Sequence, residues 1–223
     1  MKKITRPEQA RELLRRSGFL EWFSFDVLPY LQVVEYGKAE YVIRGDQPLT
    51  KLYYLVEGTV KLHRVHKNGR QSLIDFFNPP CILGEAELFE ADKLPSPLVT
   101  LTPCVFLEVD MCRCRALLLS DARFLRELCG MMLKRRVAQN RKYLNLAAYP
   151  SQNNLAVCLL HLQSEGIFAE KYTEIADYLS ISYRHLMHLI AQLCDEGVVE
   201  RVPQGLRILD WDRLRALSGE IGD

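Results

Sequence analysis

The sequence predicts a multidomain chain that combines α and β structure: an antiparallel β domain, then a long helix, then a small module of two helices and a β-hairpin. Three observations predict it. Short β runs punctuated by glycine fill much of the N-terminal half, and helical spacing of apolar residues follows over about residues 117–146. Residues 172–209 then read as two short helices across a turn, followed by a strand pair. The predicted domains are 1–116, 117–149 and 150–223.

The composition is that of an ordinary globular protein. The chain has 223 residues, of which 48% are hydrophobic and 26% charged, so it is long enough for two modest cores. Charged residues and a proline, Arg6, Pro7 and Glu8, stand where a signal peptide needs its apolar stretch, and no run reaches membrane-spanning length. We therefore expect a cytoplasmic protein with no membrane partner.

The N-terminal half is predicted to begin with a helix over Pro7–Arg16 and a short amphipathic piece over 24–31. Five β runs follow, separated by turn signals such as Gly45-Asp46 and Glu57-Gly58. Such regular spacing predicts a compact β-sandwich or barrel, which can be a binding cup or a scaffold. The predicted strands are Tyr41–Arg44, Leu52–Val56, Thr59–His66, Gln71–Phe77 and Cys104–Val109.

The long helix carries an apolar stripe. Leu125, Leu128 and Met132 recur at heptad-like steps, and Pro150 ends the helical pattern. A long apolar helix between two domains is most simply a dimer interface, so these three residues are the predicted contacts. The alternative is that the stripe packs on the chain's own β domain.

The second helix of the C-terminal module has both ends marked. Leu186, Leu189, Ile190 and Leu193 recur at i, i+3, i+4 and i+7, which gathers them on one buried face. The opposite face points outward. Ser182 stands at the N-cap, and a glycine follows the helix at the position where a left-handed backbone conformation ends many helices.

A shorter helix precedes this one and a hairpin follows it. The first helix has an inner face of Ile175, Ala176 and Leu179, and the two strands flank the turn Pro203-Gln204-Gly205. Two helices across a tight turn plus a strand pair are the outline of a winged helix-turn-helix, which points to duplex DNA. Acidic residues outnumber basic ones after residue 150, which is unusual for a duplex-binding module and predicts modest non-specific affinity.

The order of these segments resembles the CRP/FNR family of bacterial transcription regulators over nearly the whole chain. The resemblance implies an N-terminal antiparallel β-roll (a jelly roll, or double-stranded β-helix), a long dimerisation helix and a C-terminal winged helix-turn-helix. It also implies a homodimer that binds a near-palindromic operator and contacts RNA polymerase. The residues that carry it are LYYLVEGTV (52–60), Asn68-Gly69, Gly84-Glu85 with Leu88-Phe89, the segment 172–209, and LRILDWDRLRAL (206–217).

The resemblance makes Gly84, Glu85 and Ser96 candidates for an effector pocket. In cyclic-AMP-responsive members, an arginine and a serine or threonine close this cassette and hold the phosphate. This chain has Leu94-Pro95-Ser96-Pro97 there, so proline replaces the arginine and a second proline removes an amide donor. We therefore expect no cyclic AMP binding.

The recognition helix also departs from the family pattern, which often presents Arg-Glu-Thr and an arginine one turn later. Here Arg184 is predicted to read guanine and His188 a base acceptor, while Tyr183 stacks on a thymine methyl or contacts phosphate. The full set of predicted DNA-contacting residues is Ser182, Tyr183, Arg184, His185, His188, Arg201, Gln204 and Arg207.

The seven cysteines show no paired CxxC spacing, and none precedes Cys81, so the cysteine group that holds the cluster in oxygen-sensing members is absent. No metal site and no cofactor is predicted. A regulator that responds to redox state or an iron–sulfur cluster, built from Cys81, Cys104, Cys112, Cys114 and Cys129, stays open as an alternative.

No catalytic motif is legible, and we expect a protein that is not an enzyme. The enzymatic alternative is a cupin-like metalloenzyme that uses His63, His66 and Glu85. It is disfavoured because His63 and His66, an odd number of residues apart on a strand, face opposite sides. The predicted function is sequence-specific DNA binding and transcription regulation, with the β-roll as sensor or scaffold.

Overall fold

The computed structural model describes residues 2–3, 7–67, 69 and 71–219. The chain divides into two compact units, residues 1–135 and 136–223. The division falls inside one continuous helix, whose two parts belong to different units. The predicted boundaries after residues 116 and 149 stay a prediction.

The first unit contains mostly β-structure. Its helices are α1 (Pro7–Ser17), α2 (Glu85–Phe89), α3 (Met111–Ser120) and the first part of α4 (Ala122–Ala148). Its strands are β1 (Lys2–Lys3), β2 (Leu31–Tyr36), β3 (Tyr41–Ile43), β4 (Lys51–Glu57), β5 (Val60–Val65), β6 (Gln71–Phe77), β7 (Cys81–Leu83), β8 (Leu98–Thr100) and β9 (Cys104–Asp110).

The strands form two antiparallel sheets, in the orders β1-β2-β9-β4-β7 and β3-β8-β5-β6. The predicted antiparallel β domain is confirmed. All five predicted strands are present with ends shifted by a residue or less, whereas β1, β2 and the three-residue strands β7 and β8 were not predicted. The predicted amphipathic piece over 24–31 is wrong: a short 3-10 turn at Leu28–Tyr30 contains Pro29, and extended backbone follows it.

Two apolar clusters hold this unit together. One lies between the sheets and includes Tyr53, Leu55 and Phe106, which are buried. The other lies on the opposite face of the five-stranded sheet, where Phe19 stacks on Tyr54 with ring centroids 4.3 Å apart. The start of α4 is part of this second cluster, so the long helix is anchored on its own β domain.

The glycine of LYYLVEGTV is required by its surroundings. Gly58 has φ +91°, and a Cβ atom there would lie 2.3 Å from the carbonyl oxygen of Pro103. Only glycine tolerates both the left-handed conformation and this close approach. Gly69 of the predicted Asn68-Gly69 turn also has a positive φ, while Asn68 lies outside the described residues.

The second unit is the predicted winged helix-turn-helix. After the end of α4 it contains α5 (Ser151–Leu162), β10 (Ile167–Phe168), α6 (Tyr172–Tyr178), α7 (Tyr183–Asp195), β11 (Val199–Val202), β12 (Gly205–Ile208) and α8 (Trp211–Gly219). The strands form one antiparallel sheet in the order β10-β12-β11.

Both predicted ends of α7 are confirmed. The Ser182 hydroxyl accepts a hydrogen bond from the backbone N–H of His185 at 3.1 Å, which satisfies a donor that the first helical turn leaves open. Gly197 follows the helix with φ +71°, the left-handed conformation that ends many helices. The predicted inner face is buried: Leu186, Leu189, Ile190 and Leu193.

Candidate DNA-binding site

The outer face of α7 consists of polar side chains that are free to meet a ligand. Tyr183, Arg184, His185 and His188 are all exposed, and Ser182 at the helix start is exposed as well. They occupy the first two turns, where the backbone N–H groups and the helix dipole favour negative charge. A recognition helix meets the major groove with this end.

The hairpin of β11 and β12 forms the wing. Glycine is needed at the start of β12, because Gly205 has φ +142° and a Cβ atom there would meet the carbonyl oxygen of Phe168 in the neighbouring strand β10. Arg201, Gln204 and Arg207 of the predicted set are exposed. All eight predicted DNA-contacting residues therefore belong to one unit and are accessible.

The two wing arginines point to opposite faces of the wing. Arg201 pairs across the hairpin with Leu206, whose side chain is buried. Arg207 is the next residue along β12, and neighbouring residues of a strand alternate between faces. Arg207 shares its face with Glu200, its cross-strand partner.

Arg201 lines a groove that sequence analysis did not identify. The groove, of about 490 Å³, lies between the wing and the start of α6, and Lys171, Tyr172 and Gln204 also line it. Burial raises the pKa of the Tyr172 hydroxyl, while the charge of Arg201 acts to lower it. Two cations and a phenol are suitable donors to phosphate oxygens, and the carboxylate of Glu170 also lines the groove. The sequence signal for this groove is a basic and an aromatic residue, Lys171 and Tyr172, at the start of the first helix of the module.

The predicted dimer contacts need a correction. Leu128 is only 3% exposed and belongs to the core of its own β domain, and Leu125 packs against the same core. Leu125 and Leu128 therefore take the alternative role, packing on the chain's own β domain. Met132, at 37% exposure, is the one of the three that is largely accessible.

A second apolar face of α4 is exposed instead. Leu133, Val137 and Leu144 are separated by four and seven residues, which places them on one side of the helix. The residues of this helix that pack in the core of the β domain lie on its opposite side: Phe124, Leu128 and Met131. Tyr143 adds to the exposed apolar surface of this helix.

The effector-pocket candidates occupy the cassette after β7. Gly84 has φ +87°, and Glu85 forms an ion pair with Arg135, with the Glu85 Oε1 and Arg135 Nη1 atoms 3.0 Å apart. Arg135 Nη2 also donates to the carbonyl oxygen of Ile82 at 2.8 Å. Ser96 is half-buried in a separate segment. The carboxylate of the cassette is thus already bound by an arginine of α4.

The residues near Ser96 do not fit a cyclic phosphate. Pro95 and Pro97, which flank it, are buried and have no backbone N–H. The carbonyl oxygen of Pro97 is engaged as an acceptor for the backbone N–H of His63 at 2.9 Å. An anion at this place would meet few donors.

Four of the seven cysteines are buried: Cys81, Cys104, Cys114 and Cys158. Burial raises the pKa of the Cys81 thiol to about 12 and that of Cys114 to about 11, which makes thiolate rare at neutral pH. Cys112 is exposed, so it and Cys114 point to different sides of α3. Within residues 2–3, 7–67, 69 and 71–219, no group of three or more His, Cys, Asp or Glu side chains is placed to hold a metal ion.

The cupin-like arrangement does not assemble. His63 is buried, whereas His66 is exposed and bonds the hydroxyl of Ser72 at 3.1 Å. Glu85 is engaged by Arg135.

None of the helices in the described part of the chain is both long and apolar enough to cross a bilayer.

Two family models match this chain. The cyclic nucleotide-binding domain matches residues 33–121, and the Crp-like helix-turn-helix domain matches residues 154–217. The first covers most of the β-roll, and the second covers the helices and wing of the C-terminal unit.

Several curated relatives are similar over much of their length. Regulatory protein YeiL of Escherichia coli O157:H7 is 32% identical over 208 residues, which is 93% of this chain and 95% of the relative. The cAMP-activated global transcriptional regulator CRP of Pasteurella multocida is 26% identical over 144 residues, covering 64% of this chain and 67% of that protein.

Solved structures share the fold. TTHA1359, a transcriptional regulator of the CRP/FNR family from Thermus thermophilus, has a TM-score of 0.66 at 19% identity and covers 85% of this chain and 100% of its own. FixK2 from Bradyrhizobium japonicum has a TM-score of 0.60 at 20% identity over 84% of this chain and 96% of its own. With its β-roll, long helix and winged helix-turn-helix in this order, the chain belongs to the CRP/FNR family of DNA-binding transcription regulators and is not an enzyme.

Proposed function

We propose that this regulator binds a near-palindromic DNA operator as a homodimer, with Arg184 and His188 of α7 reading bases in each half-site. The observation that carries the proposal is the exposed polar face at the start of α7, which is capped by Ser182 and supported by a fully buried opposite face. Such a helix is rigid and presents its side chains at defined positions.

Each exposed residue has a distinct role in this arrangement. Arg184 has the bidentate geometry that matches the O6 and N7 atoms of guanine, and His188 lies one turn further along the same face. Tyr183 contacts a thymine methyl or a phosphate, while Ser182 and His185 contact backbone oxygens. The wing residues Arg201, Gln204 and Arg207 contact phosphates and position the module without reading sequence.

The homodimer forms along α4. Leu133, Val137 and Leu144 are exposed on one side of a helix whose first part, up to Met131, packs on the core with the other side, and Met132 borders them. Association of two copies along this face removes the apolar surface from water. A two-fold dimer presents two recognition helices, which is why the operator is near-palindromic.

The β-roll serves as a sensor or scaffold that does not use cyclic AMP. The cassette carboxylate is held by Arg135, and Pro95 and Pro97 flank Ser96 in place of cation and amide donors. No cofactor is required by this proposal. The buried thiols argue against a redox role for Cys81 and Cys114.

At a promoter, the dimer contacts RNA polymerase, as the family resemblance implies, and it works in the cytoplasm where bacterial DNA lies. The test is selection of bound sequences from a randomised duplex library, combined with sedimentation of the protein at micromolar concentration. We expect inverted repeats and twice the monomer mass of 25.8 kDa. Enrichment of single, asymmetric sites by a monomer would contradict the proposal.

A further inference from the structure

The wing carries an ion pair on its outer face. Arg207 Nη1 and Glu200 Oε1 are 2.7 Å apart, and their side chains are 52% and 43% exposed. The two residues are direct partners in the β11–β12 ladder. Because directly opposed residues in an antiparallel pair hold their side chains side by side, the carboxylate stays next to the guanidinium without further support.

The same guanidinium is one of the predicted phosphate contacts of the wing. A carboxylate and a phosphate compete for the same N–H groups of an arginine, because both accept two parallel hydrogen bonds from the guanidinium. A phosphate that approaches Arg207 must therefore displace Glu200 or share the cation with it. In the shared case the Glu200 charge also repels the phosphate.

We propose that Glu200 competes with the DNA phosphate for Arg207 and thereby lowers the sequence-independent part of the affinity. This inference rests on the proposed function, in which the wing contacts the operator backbone. Glu200 does not touch a base in this arrangement, so its effect is equal on operator and unrelated DNA. It adds to the modest non-specific affinity that the acidic excess of this module already predicts.

The test measures the affinity of full-length variants for the operator and for unrelated duplex DNA at several salt concentrations. Glu200→Gln is expected to tighten both about two- to fivefold, the range that an exposed ion pair is worth. The dependence on salt is expected to become steeper by up to about one unit, because one more phosphate is neutralised. Base preferences measured on randomised half-sites stay as in the wild type.

The matched control is Glu196→Gln. Glu196 also forms an exposed ion pair in the same unit, with Arg213 at 3.9 Å and side-chain exposures of 42% and 51%. It follows the C-terminal end of α7, opposite to the end that is proposed to enter the major groove of DNA. It removes the same charge from the protein. The expected change in affinity is clearly smaller than for Glu200→Gln.

Arg207→Gln, alone and combined with Glu200→Gln, tests whether the effect of Glu200 requires Arg207 or comes only from the negative charge of Glu200. Arg207→Gln alone weakens both DNAs, and in its background Glu200→Gln no longer tightens binding. A gain that persists without Arg207, or that Glu196→Gln reproduces, would overturn the competition while leaving the wing contact intact. Arg207→Gln that binds like wild type would overturn the wing contact itself, and the inference with it. Thermal midpoints by circular dichroism establish that each variant is folded.

Discussion

At the scale of single residues, Arg184 is the side chain whose replacement most clearly distinguishes base recognition from contact with the DNA phosphate backbone. It is exposed in the first turn of α7, while Ser182 holds that turn in place. We expect Arg184→Ala to weaken operator binding by ~1–3 kcal/mol and to relax preference at one base pair in each half-site. Selection on randomised half-sites measures both effects.

Arg215→Ala provides the control for this change, because Arg215 stands on α8 in the same unit and pairs with Asp212 at 3.1 Å. It removes an equal charge and leaves base preferences unaltered. If Arg184→Ala protein selected the same half-site as wild type, α7 would not be reading the groove with this face.

The residues of α7 could be identified from sequence because a helix repeats every 3.6 residues, so four leucine and isoleucine positions determine which side chains face outward. The cap at Ser182 follows from a local pattern of the same kind. The pairing of Glu200 with Arg207, and that of Glu85 with Arg135, could not be identified in this way. The first depends on the register of the hairpin, and the second joins residues far apart in the chain.

At the scale of elements, α4 shows why an apolar stripe alone does not tell which face of a helix is left exposed. This helix is apolar on two faces: one includes Leu128 and packs on its own β domain, and the other, with Leu133 and Val137, is exposed. The stripe at Leu125, Leu128 and Met132 has good heptad spacing, but spacing does not say which surface covers it. The covering surface is the face of the five-stranded sheet that carries Tyr54, and it packs on the side of α4 that includes Leu128.

The two faces predict different mutant behaviour. Leu133→Glu with Val137→Glu places charge on the exposed face, and we expect a folded monomer with little operator affinity, because two charges cannot be buried in the interface without partners. Leu128→Ala instead leaves a cavity in the core and is expected to lower the free energy of unfolding by ~2–5 kcal/mol. Sedimentation and thermal unfolding distinguish these outcomes.

Lys134→Glu is the control, because Lys134 is an exposed residue next to Leu133 that does not belong to the apolar face. It should leave the dimer intact. A double variant that still sediments as a dimer would move the interface to another surface of the chain.

The cassette is the second element with a testable consequence. Because Pro95 and Pro97 provide no N–H and Glu85 is held by Arg135, we expect calorimetry at millimolar cyclic AMP to show no saturable heat of binding. The cAMP-activated relative from Pasteurella multocida is the positive control. Saturable binding at micromolar cyclic AMP would mean that another cation, such as Lys93, takes the place of the missing arginine.

At the scale of the whole molecule, the order of the segments was more informative than any one of them. Glycine-punctuated strands are common to many β domains, and a helix-turn-helix occurs in many DNA-binding proteins. A β-roll, a long helix and a winged helix-turn-helix in succession are typical of one family. By contrast, strands β7 and β8 have three residues each, too few to show an alternating pattern, so the sheet order could not be derived from sequence.

A two-fold dimer of recognition helices makes a prediction about the operator rather than about the protein. Two α7 helices that enter successive major grooves on one side of the duplex require half-sites about one helical turn apart, roughly 10 base pairs from centre to centre. Inserting about five base pairs between the half-sites turns one of them to the opposite side of the duplex. We expect affinity to fall to that of a single half-site, measured by titration of labelled duplexes. Replacing the same central base pairs without changing their number provides the control, and its effect should be small, since it changes only how easily the duplex bends. Equal affinity for the normal and the expanded operators would show that the two modules bind independently, and the expected spacing of the two half-sites would be wrong.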